Sequence, residues 1–304
     1  MLEILEFLRV EPAAAIAAAG VLGLLIGSFL NVVILRLPER LEYRWRLDAL
    51  EVLQGEGSGD AATVASAAAA GTPGTQAAPP GLVMQRSHCP KCGALIRAWD
   101  NIPLLSYLVL GGKCRACKTP ISKQYPLVEA LTGIATALCV WRFGVGFEAL
   151  MAMGFTWTMI ALAGIDFRTQ LLPDLMTLPL LWAGLLLSLL PLWATPTQAI
   201  LGGAIGYLSL WSVYWGFKLL TGKEGMGYGD FKLLAALGAC LGVAAILPII
   251  LLSSIVGAVL GAALLAFRGR DSQQPMPFGP FLAAAGWVYL LFWPNIKPWI
   301  PLFS

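Results

Sequence analysis

The sequence predicts an all-α polytopic membrane protein with about eight transmembrane helices and one small cytoplasmic domain between helices 1 and 2. Of the 304 residues, 58% are hydrophobic and only 12% are charged, whereas soluble domains contain about 45–50% apolar and 25% charged residues. The apolar residues are gathered in separate runs, most of them near the roughly 20 residues that a helix needs to cross a bilayer. The basic residues are concentrated in alternate connections between these runs, as expected of a multi-pass protein.

The apolar runs set the number of predicted helices. The first run follows an acidic N-terminal segment and has no obvious A-x-A cleavage site, so we expect it to stay as a span rather than to be removed as a signal peptide. The run at 231–242 is short and could instead join its neighbour as a re-entrant hairpin. The predicted spans are 13–35, 125–142, 147–165, 174–193, 199–219, 231–242, 244–267 and 279–302.

The basic residues give the predicted orientation. With eight spans, 17 of the 20 Lys and Arg residues lie in the connections on one side, and only Arg9, Arg142 and Lys297 lie on the other. Because Lys and Arg are enriched in cytoplasmic connections, the first side is predicted to be cytoplasmic and both termini to face away from it. This bias accounts for the net charge of +3 without a nucleic-acid partner.

The connection between the first two spans divides the chain into three predicted parts. Residues 1–35 form the N-terminal transmembrane helix, residues 36–124 the cytoplasmic domain, and residues 125–304 the remaining membrane domain. Within the cytoplasmic domain, residues 55–81 are rich in Gly, Ala, Ser, Thr and Pro and lack large apolar side chains. This composition predicts a flexible loop.

The second half of the cytoplasmic domain, residues 87–120, contains two C-x2-C pairs separated by twenty-one residues. Each C-x2-C turn lets two sulfurs converge on one metal, and four thiolates suit a structural, tetrahedral Zn²⁺ site. Two disulfides are the alternative, but cytoplasmic thiols stay reduced. The predicted ligands of this zinc knuckle are Cys89, Cys92, Cys114 and Cys117.

Acidic residues near the ends of apolar runs are candidate functional groups. Asp166 ends the third span, where the helix macrodipole disfavours a negative charge, so capping does not explain it and an ion pair with Arg168 is the structural alternative. Asp174 is predicted to be the N-cap of the next helix. Asp230 could also cap a helix, but the G-x-G that precedes it indicates a close backbone approach.

The eight-span layout places Asp166 and Asp230 at the cytoplasmic ends of their spans, at similar depth. Two carboxyl groups held close together share one proton, so that one can activate water as a general base while the other polarises a carbonyl group. This is the chemistry of an aspartyl protease. The alternative is an ion-coupled transporter in which the pair relays protons, although the sequence shows no paired halves of the kind that many transporters have.

Five segments, in order, resemble motifs of the bacterial type IV prepilin peptidases. This resemblance implies an enzyme of the bacterial inner membrane with periplasmic termini and an active site at the cytoplasmic face. Such enzymes cleave the leader from type IV prepilins and type II secretion pseudopilins, and then N-methylate the new terminal residue with S-adenosylmethionine. The segments are GSFLNVVILRLP at 27–38, DNIPLLSYLVLGGKCRACK at 100–118, QYPLVEALTG at 124–133, IDFRTQLLPD at 165–174 and GMGYGDFKLLAALGA at 225–239.

The resemblance also assigns roles to individual residues. It implies that Asp166 and Asp230 are the catalytic pair and that Gly227 and Gly229 belong to a supporting loop. The expected partners are the prepilin substrates and the lipid bilayer, with no nucleic acid and a possible homo-oligomer. The residues that the resemblance connects with the methyl donor are Gly112, Lys113 and Glu129.

Overall fold

The computed structural model describes residues 6, 8–55, 78–82, 87–190, 192–223, 225–268 and 276–296, and within them the chain is helical apart from turns and two isolated β-bridges. Short 3-10 turns precede α2 and α8. The helices are α1 (Pro12–Gly55), α2 (Leu105–Val109), α3 (Gln124–Phe143), α4 (Phe147–Thr169), α5 (Asp174–Leu187), α6 (Pro196–Thr221), α7 (Tyr228–Leu241), α8 (Ile246–Arg268) and α9 (Gly279–Ile296).

Each of the eight predicted spans corresponds to one of these helices, which confirms the all-helical fold class. Among the described residues, five helices are long and apolar enough to cross a membrane: α1, α3, α4, α6 and α8 with the turn before it. Helices α5 and α7 have 14 residues each, which corresponds to about 21 Å. They are therefore shorter than the roughly 30 Å hydrocarbon core of a bilayer.

Helix α1 is longer than its predicted span of 13–35, because it continues without interruption to Gly55. The additional part is rich in Leu, Glu and Arg, which are good helix formers in water. The Arg36 and Arg40 side chains donate hydrogen bonds to carbonyl groups of residues 79–81, so this chain segment lies along α1. Residues 56–77, most of the predicted flexible loop, lie outside the described residues.

Helix α7 lies in the centre of the helical bundle, in contact with α5, α6 and α9. Every residue from Phe231 to Leu241 is buried except Lys232. Small residues permit this packing: a Cβ on Gly202 of α6 would collide with the carbonyl group of Gly238 on α7. Protein surrounds α7, so the polar groups of its backbone can find partners within the protein. A helix shorter than the hydrocarbon core of the bilayer is therefore tolerated here.

Hydrogen bonds between partly buried side chains connect α4 to its neighbours. The indole N–H of Trp157 on α4 donates to Thr136 Oγ1 on α3 at 2.9 Å, and the indole N–H of Trp287 on α9 donates to Thr156 Oγ1 on α4 at 3.1 Å. Both contacts satisfy polar groups away from water. They fix the position of α4, the helix that carries Asp166 near its C-terminal end.

Candidate active site and cysteine module

Asp166 lies in the last turn of α4 and is 5% exposed. Its Oδ2 atom is buried and has no hydrogen-bond partner among the described residues. The carboxyl group lies against the backbone of Gly279, the first residue of α9, where a Cβ would be 2.5 Å from Oδ2. The predicted alternative, an ion pair with Arg168, is wrong, because Arg168 points to Gln124 and donates to its Oε1 at 2.9 Å.

Asp230 is the third residue of α7 and is 8% exposed. The helix starts three residues earlier than the predicted span, with Gly227 as its N-cap. Asp230 is therefore inside the first turn and does not cap the helix. A negative charge in a first turn is favourable because of the helix macrodipole.

The Leu172 side chain packs against residues next to both carboxyl groups. A Cβ on Gly229 would lie 2.8 Å from Leu172 Cβ, and a Cβ on Gly279 would lie 3.2 Å from Leu172 Cδ1. Gly229, which directly precedes Asp230, and Gly279, which lies against Asp166, thus pack on the same side chain. The structure therefore brings the two sequence-predicted aspartates into one site around Leu172.

An ion pair connects the helices α5 and α7 near Asp230. Lys232 Nζ, two residues after Asp230, donates to both carboxylate oxygens of Asp174 at 2.7 and 2.8 Å. The predicted N-cap role of Asp174 is wrong, because Pro173 holds the N-cap position and no side-chain capping bond is present there. Pairing with Lys232 instead connects the start of α5 to the first turn of α7.

The arrangement of two buried carboxyl groups suits general acid–base chemistry. One carboxylate can accept a proton from water while its protonated neighbour donates a hydrogen bond. The only histidine of the chain, His88, is exposed and directly precedes Cys89 of the first C-x2-C pair. It therefore supplies no base for a nucleophilic serine or cysteine in the bundle.

The four predicted metal ligands form one cluster. The Sγ atoms of Cys89, Cys92, Cys114 and Cys117 all lie within 4.8 Å of one another, and a metal ion could be held between them. The sulfurs of Cys89 and Cys117 are 3.8 Å apart, too far for a disulfide. The side-chain and backbone hydrogen bonds of Thr119 lower the pKa of the Cys117 thiol to about 6, whereas the neighbouring Cys117 and Cys89 sulfurs raise the pKa of the Cys92 thiol to about 11. Without a metal ion, the four clustered thiols therefore do not all ionise together.

The two C-x2-C turns have the same backbone geometry. In the first turn the N–H of Gly93 donates to the carbonyl of Cys89, and in the second the N–H of Lys118 donates to the carbonyl of Cys114. Gly93 and Lys118 both have positive φ, +69° and +58°. Two equivalent turns therefore present two sulfurs each to a common centre. We call residues 87–123, which contain both turns and α2, the cysteine module.

A buried carboxylate joins the cysteine module to the membrane helices. Glu129 of α3 is 8% exposed, and its Oε2 accepts a hydrogen bond from the backbone N–H of Leu104 at 2.9 Å. Leu104 has φ +56°, a conformation that non-glycine residues rarely adopt. The contact with Glu129 thus holds the turn before α2 in a strained backbone conformation.

The remaining predicted residues lie within the module. Gly112 has φ +67°, and a Cβ there would lie 2.9 Å from the ring of Tyr107. Its N–H and carbonyl are both used in backbone hydrogen bonds, so packing explains this glycine. The Lys113 side chain is exposed. A connection of these residues and Glu129 with the methyl donor stays a prediction.

The sequence patterns did not single out Leu172 or Lys232. They did single out PMPFGP at 275–280, in which a glycine between Phe and Pro stands at the start of an apolar run. The segment is consistent both with the rim of a site and with an ordinary helix start. In the structure Gly279 does both, since it begins α9 and contacts Asp166.

Comparison with known proteins gives two family models and many relatives. Residues 21–143 match the bacterial peptidase A24 N-terminal domain, and residues 153–262 match the type IV leader peptidase family. No solved structure matches the chain.

The relatives that carry the name prepilin leader peptidase/N-methyltransferase include the following three. The protein from Xanthomonas campestris is 52% identical over 292 residues, 96% of both chains. The one from Pseudomonas aeruginosa is 49% identical over 95% of this chain and 94% of its own. The one from Burkholderia pseudomallei is 44% identical over 94% of this chain and 88% of its own. With matches of this identity along nearly its whole length, the chain belongs to the type IV leader peptidase family.

Proposed function

We propose that the protein is a bifunctional membrane enzyme that cleaves the leader peptide from type IV prepilins and type II secretion pseudopilins and then N-methylates the new terminal residue. The names of the relatives support both activities. The single observation that carries the peptidase assignment is the pair of buried carboxyl groups, Asp166 and Asp230, in one site between α4, α7 and α9. An ion-coupled transporter, the alternative from sequence, has no support from the relatives.

Cleavage requires one ionised and one protonated carboxyl group. The ionised aspartate removes a proton from water as the oxygen attacks the scissile carbonyl carbon, and the protonated aspartate donates its proton to the carbonyl oxygen. When the tetrahedral intermediate collapses, a proton passes to the leaving nitrogen and the C–N bond breaks. The leader ends in a carboxylate, and the pilin begins with a free amine.

The depth of the site suits such a substrate. Asp166 lies three residues before the end of α4, a helix of 23 residues, so it is about 4.5 Å from the helix end along the axis. A substrate with an apolar membrane helix and a basic leader outside the membrane presents its scissile bond at this boundary. We assign the boundary to the cytoplasmic face, with both termini periplasmic, from the distribution of basic residues.

We assign the cysteine cluster to a structural Zn²⁺. Tetrahedral coordination with Zn–S bonds of about 2.3 Å places the sulfurs about 3.8 Å apart, and the Cys89–Cys117 separation of 3.8 Å agrees with this value. The closed set of four thiolates leaves no position for a substrate, as is typical of structural zinc. The ion would hold the two C-x2-C turns together and keep the module folded.

S-adenosylmethionine would supply an electrophilic methyl group to the amine that cleavage produces. The contacts favour supporting roles for Gly112, which packs on Tyr107, and for Glu129, which holds Leu104. Of the three residues that the resemblance connects with the methyl donor, Lys113 is the one with an exposed side chain. We therefore assign Lys113 as the candidate that contacts a ligand.

Mass spectrometry of a prepilin incubated with the purified enzyme tests both activities. We expect loss of the leader, and one additional methyl group only when S-adenosylmethionine is added. Asp166→Asn and Asp230→Asn should each leave the substrate uncut, whereas Asp48→Asn, on the exposed extension of α1, should cleave normally. A cognate prepilin that keeps its leader with the folded wild-type enzyme, or cleavage at the normal rate by either site variant, would refute the assignment.

A further inference from the structure

The cysteine module exposes large apolar side chains at one end. Trp99 is 78% exposed, Leu108 73%, Val109 72%, Leu105 55% and Ile102 37%. The spacing of three or four residues from Leu105 to Leu108 and Val109 places these three side chains on one side of α2. We call these five residues the apolar tip. A cluster of this kind on a polar domain marks an interaction surface.

The attachment of the module shows where the tip lies. Leu104, immediately before α2, donates its N–H to Glu129, and Glu129 is five residues inside α3, whose 20 residues match the thickness of a bilayer core. The Leu104 N–H therefore lies within reach of one Glu side chain from a point about 7 Å inside the end of a membrane-crossing helix. On α3 itself, Leu127 and Leu131 bracket this depth and are 67% and 50% exposed, as expected of side chains that face lipid.

We propose that the apolar tip inserts into the leaflet at the N-terminal end of α3, so that the cysteine module is held against the bilayer by lipid as well as by Glu129. Leu105, Leu108 and Val109 follow Leu104 directly and enter the acyl region. Trp99 takes the interfacial position that Trp favours in membranes.

The charge of the module supports a lipid surface as the partner. Residues 87–123 contain six basic residues and one acidic residue, and four thiolates with one Zn²⁺ would add a charge of −2, which leaves a net charge of +3. The single carboxylate, Asp100, is paired with Arg115, whose Nη2 lies 2.6 Å from Oδ1. A basic segment with an apolar face combines attraction to anionic lipid headgroups with insertion of its apolar side chains.

Photo-crosslinking in lipid nanodiscs tests this inference directly. The full-length protein carries p-benzoylphenylalanine in place of Leu108, in nanodiscs of phosphatidylethanolamine and phosphatidylglycerol. We expect irradiation to add the mass of one phospholipid to the chain. The matched control carries the same probe in place of Trp45, which is 50% exposed and lies about 15 Å beyond the predicted end of the first span; it should give no lipid adduct.

A second variant separates insertion from accidental contact. Leu105→Gln together with Val109→Gln, in the presence of the probe at 108, should lower the lipid adduct several-fold while the metal content stays at one ion per chain. Cleavage of prepilin is not the readout, so failure of the peptidase assignment would not affect the result. Absence of a lipid adduct at 108, a crosslink to a second copy of the chain, or a crosslink to added prepilin in place of lipid would each overturn the inference.

Discussion

Gly279→Ala tests whether the position of the Asp166 carboxyl group determines cleavage. A Cβ at residue 279 would lie 2.5 Å from Oδ2 and 3.0 Å from Cγ of Asp166, whereas ordinary van der Waals contact begins at 3.4 Å. The carboxyl group or the start of α9 must therefore move by about 0.9 Å, since repulsion rises steeply below contact distance. A displacement of about 1 Å in a catalytic group can lower the rate about 100-fold, which corresponds to about 2.7 kcal/mol in the activation free energy.

The assay is the rate of leader removal from a prepilin, followed by mass spectrometry at saturating substrate. Gly154→Ala is the matched control, because it lies on α4 with Asp166 and no atom is within 4 Å of its Cβ position. That variant should cleave normally, and Ala should stabilise the helix by up to about 1 kcal/mol. If folded Gly279→Ala enzyme cleaves within about twofold of the wild-type rate, close approach of α9 to Asp166 is not required for catalysis.

Two further predictions concern the ion pair and the cysteine module. Lys232→Met and Asp174→Asn should each lower kcat for cleavage about tenfold with little change in KM, because the pair holds the α7 turn that carries the second aspartate. The exchanged double variant, Lys232→Asp with Asp174→Lys, should recover part of kcat, and an equally slow double variant would contradict this role. We expect metal analysis of the wild-type protein to find one ion per chain, and Cys114→Ser should not retain it, without loss of helical circular dichroism from the membrane domain. Cys240→Ala, within α7, should keep the metal, and a metal-loaded Cys114→Ser protein would count against the four-cysteine site.

The sequence was sufficient to predict the helices and to single out the candidate residues that the structure gathers into two clusters. Apolar runs between polar connections locate helices well, because crossing a bilayer leaves few alternatives to a helix. The two C-x2-C turns are local, so their spacing predicts the sulfur cluster that is observed. The end of α1 was predicted less well, since hydropathy detects where a helix leaves the apolar phase but not where the helix itself ends.

Contacts between distant parts of the chain were the part that sequence could not predict. Asp174 follows a proline at a helix start and so resembles an N-cap, but its partner Lys232 is 58 residues away. Gly279 and Asp166 are likewise separated by more than a hundred residues, and their contact depends on how α9 packs against α4. A local sequence pattern can indicate that a position requires glycine. It cannot show which distant atom occupies the space that a side chain would fill.

The glycines of the G-x-G-D segment have different physical roles in the structure. Gly229 lies inside the first turn of α7, and a Cβ there would lie 2.8 Å from Leu172 Cβ. Gly225 is restricted by the ring of Phe217, whereas Gly227, the N-cap, has no atom within 4 Å of its Cβ position. The supporting loop expected at Gly227 and Gly229 is therefore the start of α7, and the close approach expected there is found at Gly229. At Gly229 and again at Gly279, the missing side chain allows two backbone segments to pack on Leu172 and brings the two carboxyl groups into one site.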